Sequence, residues 1–178
     1  MTTEGKVPEG LDPNVTKRDI VFTVEATNVD PMLKVGTANH NNQKYYTLAC
    51  DEGEHLGGHG SAPPPLAYFS AAYAFRMMTQ IGRYGHMLKV QIDKVRMKVT
   101  VRYRVEGSVL ANTVKSQCVG VEAEVHIESA EDPSTIARVV HNAENGCFVH
   151  QALTNPVPVR GTVTLNGSEL KVQQLFAP

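Results

Sequence analysis

Residues 57–85 read GGHGSAPPPLAYFSAAYAFRMMTQIGRYG, a glycine-rich loop, three prolines and then a helical pattern. No Asp, Glu, Lys or Arg occurs between Glu54 and Arg76. Leu66, Phe69, Tyr73, Met77 and Ile81 fall three or four apart, and Ala67, Tyr68, Ala71, Ala72, Ala74 and Phe75 fill most of the remaining faces. A helix apolar nearly all round is buried on every side, so this stretch predicts a central helix with sheet on one flank and more protein on the other. Pro65 suits its first turn, where a missing N–H is harmless. Gly82 and Gly85 offer its stop.

Outward from this helix the chain reads as strands and two shorter helices. Ile20, Phe22, Val24 and Ala26 alternate with polar residues, Leu33, Val35 and Thr37 suggest a second strand, and Tyr46, Leu48 and Cys50 a third. His40-Asn41-Asn42-Gln43 is a tight turn between the last two, because Asn tolerates the left-handed conformation. Beyond the helix, Val95, Met97, Val99, Val101, Tyr103 and Val105 line one face of a long strand and Arg96, Lys98, Arg102 and Arg104 the other. Val90 and Ile92 are out of phase with it, which predicts a bulge near Asp93-Lys94. Residues 106–117 read as a connection. Val119, Val121, Ala123, Val125 and Ile127 then alternate with Glu122, Glu124, His126 and Glu128. The cationic and anionic faces suit an antiparallel pair.

Asp132-Pro133 starts a second helix with an N-cap and a proline at the first position. Ile136, Val139, Val140 and Ala143 form its buried stripe, and Asn145-Gly146 interrupts it. A short apolar helix runs from Cys147 to Leu153, Pro156 and Pro158 end the helical region, and Val159, Val163 and Leu165 suggest a last edge strand. Helices segregated from an antiparallel sheet give an α+β fold. The expected organisation is a flexible arm at 1–18 and a single domain over 19–178.

The 178 residues carry 42% hydrophobic and 20% charged side chains and a net charge of −1, a balance that points to neither nucleic acid nor an anionic membrane. The basic strand faces an acidic one, which argues further against nucleic acid as a partner. The longest apolar run, Leu66 to Phe75, falls short of the roughly 20 residues needed to span a bilayer. Residues 1–19 lack the apolar core of a signal peptide, and three widely spaced cysteines make no disulfide framework. A cytoplasmic location is the expectation.

Cys147 is the leading candidate for chemistry. It follows Gly146 and opens a helix, where partial positive charge favours a thiolate. It also lies four after Ala143 and continues the buried stripe, and that blander reading is the preferred one. His150, three residues on, completes a candidate dyad. Cys118 shares a strand with Glu122 and Glu124, and Cys50 precedes Asp51 and Glu52, so carboxylates disfavour a thiolate at both. His55 and His59 have only Asp51, Glu52 and Glu54 nearby, which gives no metal site. No GxGxxG, GxxxxGK, GxSxG or HExxH motif occurs, so no cofactor is expected.

The order of LGGHGSAPPPLAYFSAAYAF, VEAEVHIESAEDPSTIARVVHNAENGCFVHQAL and NPVPVRGTVTLNG resembles the OsmC/Ohr family over residues 20–166. The resemblance implies an intertwined homodimer with a long buried central helix, and a family activity of thiol-dependent hydroperoxide reduction. It further implies an attacking cysteine on the central helix and a resolving cysteine opening the late helix, with a Glu and an N-terminal Arg activating the first. The resolving position falls on Cys147, followed by Phe148 where the family often has Pro. By the pattern P-L-x-x-x-x-A-A-x-x-x-C the attacking position falls on Arg76, and the Glu position falls on Leu66. No Arg lies between Arg18 and Arg76.

A guanidinium is not oxidised by peroxide, so this divergent member is expected to lack the two-cysteine site. Arg76, with His150, is then expected to hold a small acidic or hydrophobic ligand at the dimer interface. The blander reading of Arg76 is an ion pair with a carboxylate such as Glu54, or emergence at the surface. The alternatives for the whole protein are a thiol peroxidase or reductase working through Cys147 alone, and a homodimer with no ligand.

Overall fold

The computed structural model describes residues 19–155 and 157–172; the expected arm at 1–18 and the expected stop at Pro156 lie outside them. The element order is β1 (Phe22–Asn28), β2 (Lys34–His40), β3 (Lys44–Cys50), α1 (Pro65–Met87), β4 (Lys94–Glu106), β5 (Lys115–Glu128), α2 (Pro133–Gly146), α3 (Phe148–Thr154), β6 (Thr164–Leu165) and β7 (Ser168–Glu169). The α+β class with antiparallel pairing stands as read. β1, β2 and β3 form one antiparallel sheet in sequence order. Asn41 and Asn42 turn the β2–β3 corner with φ of 49° and 55°, both left-handed, as the twist of a tight hairpin demands.

β4 and β5 pair along their length, and the expected charge complementarity is present. Lys98 sits opposite Glu124 with their charged atoms 2.8 Å apart, Arg96 reaches Glu128 at 2.8 Å and Arg102 reaches Glu122 at 2.5 Å. All six side chains are exposed, so these pairs set register more than they add stability. The bulge is not at Asp93-Lys94. It falls between Arg102 and Tyr103, where Val119 is the extra residue. One inserted residue reverses the alternation, so Cys118 lies opposite Tyr103 on the face of Val101 and not beside Glu122. β5 also begins at Lys115, inside the stretch read as a connection.

α1 runs through Gly82 and Gly85 to Met87 and does not stop at either. Gly85 has a packing reason: a Cβ there would lie 2.8 Å from Ile92 Cδ1. α2, α3 and β4 cover one flank of α1, burying Tyr73, Met77 and Ile81 with Val139, Ala143 and Cys147. Leu66 and Phe69, in the first turns of that same helical face, and Phe75 on the opposite face stay exposed in the single chain, Phe75 by 68%. Phe22, Val24, Tyr45, Tyr46 and Leu48 of the meander are likewise uncovered.

Asp132 caps α2 as read, accepting from Ser134 N at 2.9 Å and Thr135 N at 3.1 Å. The Ser134 and Thr135 hydroxyls also donate to it, and these bonds, Ser134 first, hold its carboxyl well below the ordinary range. Asp132→Ala is expected to lower the melting temperature by a few degrees, and Asp132→Asn to retain most of it, since Asn caps as well as Asp. Equal losses in the two variants would assign the effect to charge. The expected last edge strand is instead a two-residue hairpin, β6–β7, turning on Asn166 and Gly167 with φ of 51° and 82°.

Candidate functional site

The site lies where α1 meets the corner between α2 and α3. The loop before α1 is held by Asp51, which is 1% exposed and accepts from Glu52 N, His59 N and both the N–H and hydroxyl of Ser61 at 2.8–3.2 Å. His55 and His59 are exposed, and among the described residues no three His, Cys, Asp or Glu side chains converge as a metal site.

At the corner, α2 ends at Gly146 and Cys147 is the N-cap of α3, its carbonyl accepting from Gln151 N at 2.9 Å. The backbone leaves the helical region for this one residue, with φ −88° and ψ 105°, so the two helices change direction there. Cys147 is fully buried. Its thiol makes no hydrogen bond among the described residues. His150 does not complete a dyad with it. The His150 ring stacks on Tyr73 at 5.9 Å, and its Nδ1 shares a 2.9 Å hydrogen bond with Tyr73 Oη. Burial pushes the Tyr73 phenol up, with smaller contributions from charge on Cys147 and Glu144. Tyr73 therefore stays protonated at neutral pH.

Arg76 does not pair with Glu54. Its guanidinium lies over the Phe148 ring, 5.1 Å from the centroid, and makes no ion pair among the described residues. Such stacking contributes roughly 0.5–1 kcal/mol where the ring is exposed, and Phe148 is 57% exposed. Because Phe148 follows Cys147, the contact brings the two sequence-predicted positions to one corner. One turn further along α1, Gln80 is 1% exposed and donates from Nε2 to Gly146 O at 2.5 Å and to Tyr84 Oη at 3.1 Å. Tyr84 packs so closely on Gly146 that a Cβ there would lie 2.1 Å from Tyr84 Oη. A side chain at this corner would have to displace the Tyr84 ring.

Arg76, Gln80, Tyr84 and Phe148, with Ile20 just before β1 and Phe22 at its start, are among the residues that line a cleft of about 470 Å³, within the range of small-molecule sites. A second cavity, about 210 Å³, lies between the meander and the start of α1 and is lined almost wholly by apolar atoms. Reading the sequence for chemistry missed Gln80, Tyr84 and Tyr73. A signal for the first two exists: Arg76, Gln80 and Tyr84 recur every fourth residue and place polar groups on one face of an apolar helix.

Residues 58–161 match the family described as OsmC-like protein, from the glycine loop through α3. The chain belongs to the OsmC-like family. Its fold is similar to that of an OsmC-like hydroperoxide resistance protein from Jannaschia sp. CCS1, at 24% identity and TM-score 0.56, covering 85% of this chain and 97% of that one. It is also similar to an OsmC-like protein from Mycoplasma pneumoniae (17% identity, TM-score 0.58, 76% of this chain and 89% of the other). A third likeness is to an organic hydroperoxide resistance protein OsmC from Legionella pneumophila (20% identity, TM-score 0.52, 76% and 90%). At these identities the likeness shows the OsmC-like fold. Among curated proteins, none matches this OsmC-like chain. No helix among its described residues is long and apolar enough to cross a membrane.

Proposed function

We propose that this OsmC-like protein is a homodimer that binds a small carboxylic acid in the cleft beside Arg76 and does not run the two-cysteine peroxidase reaction. One observation carries the reading. Arg76, at the position to which the family pattern assigns the attacking cysteine, is half-buried over Phe148 with no carboxylate partner among the described residues. A half-buried guanidinium without a counter-charge favours an anion beside it, and a carboxylate accepts two parallel N–H bonds from it. The apolar lining supplies the rest of the affinity.

The exposed apolar side chains of α1 and of the meander support a second copy as their cover. His150 then serves the Tyr73 bond behind the cleft and is not a contact to the acid. The alternative, a thiol enzyme through Cys147 alone, has less support, because that thiol is buried and makes no hydrogen bond among the described residues.

Melting of the wild type at ten times Kd of benzoate is expected to rise by about 3–6 °C, with no rise in Arg76→Ala. Equal rises in both would sink the Arg76 assignment. The same preparation with cumene hydroperoxide and a dithiol is expected to consume no peroxide above a protein-free blank.

A further inference from the structure

We infer that the acid held in this cleft is a dicarboxylate, with one carboxylate on Arg76 and the second, two helical turns along α1, on Arg83. The inference rests on the acid-binding reading above and names the class of acid. Arg83 lines the cleft together with Arg76 and, like it, is half-buried. The two are seven residues apart, which returns them to one face of α1 at a rise of about 10 Å. Each guanidinium rests on an aromatic ring of the cleft: Arg76 lies 5.1 Å from the centroid of Phe148 and Arg83 lies 5.6 Å from that of Tyr84. A guanidinium on a ring keeps its in-plane N–H groups for acceptors, and a carboxylate takes only two of the five.

Because each cation has its own ring, the two are held apart. They suit two anionic groups at the ends of one molecule better than a single compact dianion. His40, stacked on Phe22 at 4.6 Å, adds an imidazole to the lining. No Asp or Glu is among the described residues that line the cleft. Phe22, Tyr84 and Phe148 give it apolar surface for a hydrocarbon spacer. A monocarboxylate would neutralise one cation only. A dicarboxylate matches both, and two charge-assisted pairs fix its direction along α1.

Calorimetric titration of the full chain tests this with three probes. They are octanedioate, its monomethyl ester, which keeps the length and loses one charge, and propanedioate, which keeps both charges and loses their separation. Octanedioate is expected to bind about 10-fold more tightly than either of the others. Arg83→Gln is expected to bring it down to the level of the ester. If octanedioate and its ester bind within about twofold of each other while benzoate still stabilises the wild type and not Arg76→Ala, the second carboxylate is overturned and the acid site stands. A preference that survives in Arg83→Gln, or propanedioate binding as tightly as octanedioate, would equally overturn the two-ended arrangement. If neither octanedioate nor benzoate binds, both readings are overturned. The wild-type series decides the matter even if the variant does not fold.

Discussion

In the native protein, iodoacetamide is expected to modify Cys118 at least about 100-fold faster than Cys147. Cys118 is exposed on β5, next to the bulge. Cys147 is fully buried among Tyr73, Met77, Val139 and Ala143. The reagent reaches it only when the corner between α2 and α3 opens, and an opening free energy of about 3 kcal/mol already gives a factor of about 100. Mass spectrometry of the two cysteine peptides over time measures the ratio, and the difference should vanish in guanidinium chloride. Comparable rates in the native protein would return Cys147 to candidacy as a nucleophile. The proposed function makes this residue the one to measure, since the family resemblance implies that it holds the resolving position.

The second large effect is expected at the loop before α1. A Cβ built on Gly58 would lie 2.0 Å from Glu52 O and 2.8 Å from Asp51 Oδ1. A backbone oxygen cannot step aside as a flexible side chain does. Gly58→Ala should therefore cost about 2 kcal/mol, or roughly 4–8 °C in melting temperature for a chain of this size. Asp51 sets the pH dependence of the same loop. Its carboxyl is lowered from 3.8 to about 2, first by the Ser61 N–H and then by the Ser61 hydroxyl, with burial opposing.

A folded value below the unfolded one means that the contribution is fully present above pH 4 and is lost as pH falls from there towards 2. Asp51→Asn should flatten the melting curve in that window relative to wild type. Because Asp132 is lowered too, it is the difference between the two proteins that identifies Asp51. Parallel curves would mean that the loop does not depend on the carboxylate.

Much of the fold was legible because local chemistry encodes it. Alternation showed the strands, and the Asn41-Asn42 pair showed the hairpin turn, since few other residues accept two left-handed positions in succession. Asp132-Pro133 showed where α2 starts. Gly82 and Gly85 misled because a glycine late in a helix reads as a stop, whereas Gly85 is small to admit Ile92. The bulge at Val119 was invisible because either register keeps an apolar alternation, and only the pairing with β4 reveals the inserted residue. Cys118 changed faces as a result.

Sequence by itself determined the α+β class, the family and the corner at Gly146-Cys147, all of which depend on short-range pattern and residue order. Only the tertiary structure decided what the polar groups meet. Tyr73 bonds His150 across 77 residues of sequence, and Gln80 bonds Gly146 across 66. Helical periodicity says which face of α1 is buried, but a buried polar group takes whichever partner packing brings within about 3 Å. Thus His150 went to a phenol and not to the neighbouring thiol. The Arg76–Gln80–Tyr84 face became a cleft because α3 turns back on α1 at a glycine that leaves room for Tyr84.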